Sequence, residues 1–317
     1  MNFKFYKRAR AFRYFLIVLF AIFLFIQYFN GLNSVAEPII KSDRATGQPS
    51  DRQPEIIAKL RQSDVIYLAE NHDSVEDHAA QLEIITKLYQ SNQQAVTGKS
   101  SDLTIALEMF QRPFQPILNR YLAGEINENQ LRKQTEYDTR WGFDWEYYAP
   151  VIRFAKVNQI PLLAINTPTE ITRKVGEKGL DSLAGNDWRY IPPLKEIKTD
   201  NQEYRQRMQE IYTQHVHGGQ GNSDRSDLEN DLENFFAAQV LWDETMADAI
   251  AQNYKNNPQS PIVVLVGSGH IVYGQGIPER VARRITDNSF EQSSVLLGKE
   301  NNSELNQDSG TDFIWNF

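Results

Sequence analysis

The stretch Val65-Ile-Tyr-Leu-Ala-Glu-Asn-His-Asp73 sets the reading of this chain. Five apolar residues run without a polar interruption and then give way at once to an acid, an amide, an imidazole and a second acid. A continuous apolar run of this length, rich in β-formers, suits a strand buried on both faces, as in a parallel sheet. The polar cluster then falls at the strand's carboxyl end, where ligands of open α/β sheets bind.

The same layout recurs. Leu103-Thr-Ile-Ala-Leu107 leads to Glu108, Pro161-Leu-Leu-Ala-Ile165 to Asn166, and Ile262-Val-Val-Leu-Val266 to Gly267-Ser-Gly-His270. Ser294-Val-Leu-Leu297 reads as an added edge strand. Helical patterns separate the runs, which implies βαβ units with right-handed crossovers. Ser74, three residues before Asp77, resembles a capping box opening one helix, with the stripe Ala79, Leu82, Ile85 and Tyr89. A longer helix is expected from Ser226, with Leu228, Leu232, Phe235, Gln239, Trp242, Met246 and Ala249 on one face. Gln239 is polar within an apolar stripe, so it requires a structural partner or a ligand. The expected fold is α/β, a mainly parallel central sheet flanked by helices, with a helical insertion at about 167–261 capping it.

Glu70, His72, Glu108 and His270 thus converge on one sheet edge, with Asn166 beside them. Acids and imidazoles are seldom set against apolar strands without partners. Two imidazoles with two carboxylates suit a divalent metal. The same set could do acid–base work without metal, or serve as a hydrogen-bonded brace; in a metal-dependent hydrolase Glu70 or Glu108 would be the general base beside a metal-bound water. His78, one turn into the following helix, reads as structural. Ser268 is no nucleophile elbow, because Val266 stands where G-x-S-x-G needs its first glycine. His215 and His217 share a face only if extended, and are weak evidence for a metal. Between Tyr137 and Tyr148 lie Trp141, Phe143, Trp145 and Tyr147. Such aromatic density reads as core, and it also suits a flat apolar ligand; a tyrosine can ligate haem iron.

Residues 1–36 carry Lys4, Lys7, Arg8, Arg10 and Arg13, then an unbroken apolar run from Phe15 to Ile26, then Ser34-Val-Ala36. This is the layout of a secretory signal peptide; the run extended to Phe29 would serve as an uncleaved anchor. The chain is therefore expected outside the cytoplasm, exported or anchored by this segment. Residues 37–54 read as a linker, 55–298 as the α/β domain and 299–317 as a polar tail. Net charge is −8 over 317 residues, which leaves no basic field for nucleic acid. There is no cysteine, so disulfides, thiolate metal sites and lipidation at cysteine are excluded.

Taken together, several stretches resemble the ChaN family of haem-binding, iron-regulated lipoproteins, within a wider Tiki/TraB/erythromycin-esterase-like group. They are Ala69-Glu-Asn-His-Asp73, His78-Ala-Ala-Gln81, Ala106-Leu-Glu-Met-Phe110, Tyr148-Ala-Pro-Val151, Ala164-Ile-Asn166, Gln239-Val-Leu-Trp-Asp-Glu-Thr-Met-Ala247, Val266-Gly-Ser-Gly-His-Ile271 and Gly274-Gln-Gly-Ile-Pro278. The chain departs from the family pattern at Ala69, where a glycine is usual, at Asp77-His78, and in lacking the lipoprotein cysteine. The resemblance implies haem as cofactor, connected with iron uptake, and Glu70, His72, Glu108 and His270 as the shared polar set. Tyr147, Tyr148, Asn166 and Gln239 are the expected ligand contacts. The alternative it implies is a metal-dependent hydrolase holding a divalent ion at the strand ends. Expected partners are haem or another small apolar ligand, the membrane through the N-terminal segment, and a second copy in a homodimer.

Overall fold

A computed structural model describes residues 49–94, 103–217, 225–298 and 310–316. Residues 1–36, read as a signal or anchor, lie outside the described residues, as does most of the expected linker. Helix α1 (Pro49–Leu60) leads into strand β1 (Val65–Glu70). The end of that linker, 49–54, is therefore helical. Helix α2 (Val75–Gln94) and strand β2 (Thr104–Gln111) come next. The chain then passes through α3 (Gln115–Leu122), α4 (Glu128–Gln134), the single turn α5 (Tyr137–Arg140) and α6 (Trp145–Val157) to β3 (Leu162–Asn166). Helices α7 (Thr169–Lys178), α8 (Gln202–His217) and α9 (Arg225–Asn256) separate β3 from β4 (Ile262–Gly267). Helix α10 (Ile277–Arg284) precedes β5 (Gln292–Gly298) and β6 (Phe313–Asn316).

The strands form one sheet in the order β3-β2-β4-β1-β5-β6, and every pairing is parallel. β1, β2 and β4 are buried along their whole length, as continuous apolar runs require of a sheet covered on both faces. Ile66 and Leu68 face α2 and α6, beside Ile84, Ile85 and Ile152. Val65, Tyr67 and Ala69 face α9 and α10, beside Met246, Ile250 and Val281. The helices leaving β1 and β4 thus depart to opposite faces, which opens a crevice at the carboxyl ends of these two neighbouring strands.

Three expectations change. The segment 299–317 is not wholly a polar tail, because Phe313–Asn316 pairs with β5 and Trp315 is fully buried. β5 is consequently internal rather than an edge. The insertion at 167–261 is only partly a cap. The first half of α9, with Phe235, Phe236 and Leu241, packs with α7 and α8. Its second half, with Trp242, Met246 and Ile250, lies on the sheet as the crossover to β4.

The inward face of α2 holds Leu82, Ile85 and Tyr89 of the expected stripe, and is wider than expected. Of that stripe only Ala79 is exposed, while Asp77, His78, Ala80, Gln81, Ile84 and Leu88 are also buried. Polar partners at the sheet edge bring His78 and Gln81 into this face. Half of the expected capping box forms: Asp77 N–H donates to Ser74 Oγ at 3.2 Å, but the Asp77 carboxylate accepts from Ser74 Oγ at 2.7 Å, while the Ser74 N–H goes to the Asn71 carbonyl. The other Asp77 oxygen accepts the Asn71 N–H at 2.7 Å. Burial lifts Asp77 to about 6.

Candidate functional site

Glu70 is the last residue of β1 and pairs in register with Gly267 of β4. Its carboxylate accepts three hydrogen bonds, from Tyr148 Oη at 2.6 Å, Gln81 Nε2 at 2.5 Å and His72 Nδ1 at 2.8 Å. Burial pushes this carboxyl up, but the His72 hydrogen bond and the charges of His72 and His78 outweigh it, and the net direction is down. His72 in turn is drawn down by burial and raised more strongly by Glu70 and Glu108. Its ring lies edge-on to Trp141, with centroids 4.9 Å apart, and against Phe143 at 4.8 Å. His78 is structural, as its position suggested: its Nε2 bonds the His72 carbonyl at 3.1 Å and its ring stacks on Tyr147.

Across the crevice a second acid–imidazole pair mirrors the first. Glu108 Oε2 accepts the Gly267 N–H at 2.7 Å, and His270 Nε2 lies 3.4 Å from Glu108 Oε1. His270 Nδ1 sits 2.5 Å from Asp243, whose other oxygen accepts from Tyr204 Oη at 2.6 Å. Burial opposes a charge on His270, yet Glu108 and Asp243 together lift it to about 10, so it stays an imidazolium at neutral pH. Two glycines make the close approach feasible. A Cβ on Gly267 would lie 2.7 Å from His72 Nε2, and one on Gly276 would lie 1.9 Å from the His270 carbonyl oxygen.

The strand ends therefore bring Glu70, His72, Glu108 and His270 to one edge, all buried. They form two acid–imidazole pairs rather than one metal cage. Among the described residues no group of three or more His, Asp or Glu side chains is placed to hold a metal ion. The expected divalent-metal set is thus not assembled, because each imidazole is already turned toward a carboxylate. His215 and His217 both fall in α8.

The expected ligand contacts divide. Tyr148 is fully buried, its hydroxyl is committed to Glu70, and burial raises it well above the usual phenol range, so it is no outward iron ligand. Tyr147 is half-buried. Asn166 braces the edge: its amide donates to the Glu108 carbonyl at 2.7 Å, and Trp242 Nε1 and the Thr167 N–H donate to its oxygen. Gln239 lies one helical turn before Asp243, and its Oε1 is buried without a hydrogen-bond partner. Sequence reasoning passed over Asp243 and Tyr204. The available signal for Asp243 was its place four residues after Gln239, on the same helix face; nothing local marks Tyr204.

A family model described as haem-binding uptake, Tiki superfamily, ChaN matches residues 56–281. The chain belongs to the ChaN family. The solved structure of ChaN from Campylobacter jejuni, described as showing cofacial haem binding, superposes with a TM-score of 0.59 at 20% identity. That match covers 78% of this chain and 86% of the other, and shows a shared fold. A mutant of the erythromycin esterase EreC gives a TM-score of 0.43 at 13% identity, over 79% of this chain and 74% of the other. Protein RETICULATA-RELATED 5, chloroplastic, from Arabidopsis thaliana is 26% identical over 277 residues, 81% of this chain. The chain spans about a third of that relative's length, 34%.

Proposed function

We propose that this chain binds haem outside the cytoplasm, in a role connected with iron uptake. The observation that carries the reading is the ChaN family match over 56–281. The Campylobacter relative's cofacial haem binding agrees with it. The residues present suit such a ligand. Haem needs an apolar wall and an axial ligand, and the mouth of the crevice offers half-buried Phe143 and Tyr147, with Val75 60% exposed one turn from His78. Tyr147 is the tyrosine we assign to the iron, since Tyr148 is spent on Glu70. Haem bound there would supply an iron open to transfer or reduction.

Titration with hemin is expected to shift the Soret band for the native chain and for Tyr148→Phe, and to lose that shift in Tyr147→Phe. Native protein whose hemin spectrum matches buffer would end the haem reading. The export part rests on the N-terminal sequence, since among the described residues no helix is long and apolar enough to cross a membrane. Terminal sequencing of protein from fractionated cells distinguishes cleavage after Ala36 from an intact anchor. A metal-dependent hydrolase has less to rest on, since its ligand set is not assembled among the described residues. A homodimer remains testable by light scattering with and without hemin.

A further inference from the structure

Tyr147 sits in the first turn of α6, between two rings that turn inward. Trp145 and Tyr148 are buried, while Tyr147 is half-buried. Its hydroxyl makes no hydrogen bond among the described residues. The phenol is therefore oriented by what its ring lies against, and that ring is the imidazole of His78 on α2. The two planes are nearly parallel, 11° apart, with centroids separated by 5.0 Å. The same imidazole stands edge-on to Tyr148 at 4.6 Å, so one ring touches both tyrosines.

The imidazole itself has a single setting. Its Nε2 bonds the His72 carbonyl at 3.1 Å, and its Nδ1 bonds Gln81 Oε1 at 3.3 Å. Gln81 is pinned in turn. Its Nε2 donates to Glu70 at 2.5 Å and to the Leu68 carbonyl at 3.4 Å, which leaves Oε1 turned to His78. Strand β1 thus fixes Gln81, Gln81 and the loop after β1 fix His78, and His78 presents a flat face to Tyr147. A phenylalanine would fill the same space, but no hydrogen bonds would hold its plane at both edges. A ligand that uses Tyr147 meets a side chain already ordered, and avoids the cost of ordering it on binding.

We propose that His78 is a positioning residue for the iron ligand: it holds the Tyr147 phenol in one orientation before haem arrives. This rests on the reading of Tyr147 as the tyrosine that meets iron. Carbon-13 relaxation of the Tyr147 side chain, measured on the hemin-free full chain in mild detergent, tests the holding. Hemin titration of the same samples tests its consequence. In His78→Ala the Tyr147 side chain is expected to gain mobility, while Tyr148, still bonded to Glu70, does not. Hemin affinity should fall at least about threefold. His78→Phe should show both changes in smaller measure, with about a twofold loss of affinity, and carries the test should His78→Ala fail to fold. Tyr147 as rigid in the folded variants as in the native chain would overturn the proposal. So would native hemin affinity in a variant whose Tyr147 has become mobile, and so would equal loosening of Tyr148, which marks a general brace. A native chain that leaves the hemin spectrum unchanged would end the haem reading; the mobility of Tyr147 is read without hemin and reports on His78 separately.

Discussion

Gly267 has no side chain because His72 stands where one would be. A methyl group there would sit 2.7 Å from the imidazole, against a ring already wedged by Trp141 and Phe143. Gly267→Ala is therefore expected to destabilise the chain by about 1–3 kcal/mol through overpacking in a site that cannot give way, measured as a lower urea midpoint at unchanged slope. His270 makes a prediction about pH. Its folded-state value is raised, to about 10 from an ordinary 6.5, by Glu108 and Asp243. A raised histidine contributes stability that is fully present below its unfolded value and is lost as pH rises through the folded one. Unfolding free energy should thus fall between pH 6.5 and about 10. Asp243→Asn should flatten that slope in urea melts at several pH values; a slope unchanged by the substitution would contradict the assignment. Tyr148→Phe leaves Glu70 one donor short in a dry setting, at a cost of about 1–3 kcal/mol, readable in the same melts.

At the scale of elements, the last strand is the clearest test. β6 joins the sheet beside β5 and buries Trp315 completely, with Lys87 over its ring at 5.6 Å. Trp315→Ala should cost about 3–5 kcal/mol, as other emptied aromatic core sites do, and truncation before Phe313 should expose the β5 edge and promote aggregation, visible by light scattering. The α2 stripe shows what pattern reading finds and what it misses. Periodicity weighs apolar residues only, so it picks out Ala79, Leu82, Ile85 and Tyr89, of which the last three do lie on the core. The helix also turns Asp77, His78 and Gln81 inward, because Glu70 and the His72 carbonyl accept hydrogen bonds from Gln81 and His78. The four main strands were legible because two-sided burial demands unbroken apolar runs. β6 was not, since four residues at the end of a polar segment carry too little pattern.

Across the whole molecule, the helical cap and the sheet edge are joined through one chain of polar groups. Tyr204 on α8 reaches Asp243 on α9, which holds His270 after β4, which faces Glu108 on β2. Beside it, fully buried Glu244 accepts from Arg283 at 2.7 Å and from the Lys198 N–H at 3.0 Å, tying the segment before α8 to α10. Tyr204→Phe should loosen this attachment, seen as faster amide exchange in α8 with the sheet strands unchanged. Exchange unaltered in α8 would show that apolar packing with Phe235 and Phe236 suffices to hold the cap.

Composition and order along the chain determined the class of fold, the edge of the sheet that matters and the four strand-end residues that gather there. Those come from local rules: buried parallel strands are apolar throughout, and the residues just after each strand all emerge at the same edge of the sheet. Tertiary structure alone decided how the four are paired, which tyrosine faces outward, and that Asp243 and Tyr204 complete the set. These depend on helices distant from Glu70 along the chain meeting the sheet edge in space, and on hydrogen-bond directions that no spacing along a chain encodes. A metal set and two acid–imidazole pairs use the same residue types; only the direction of each imidazole separates them.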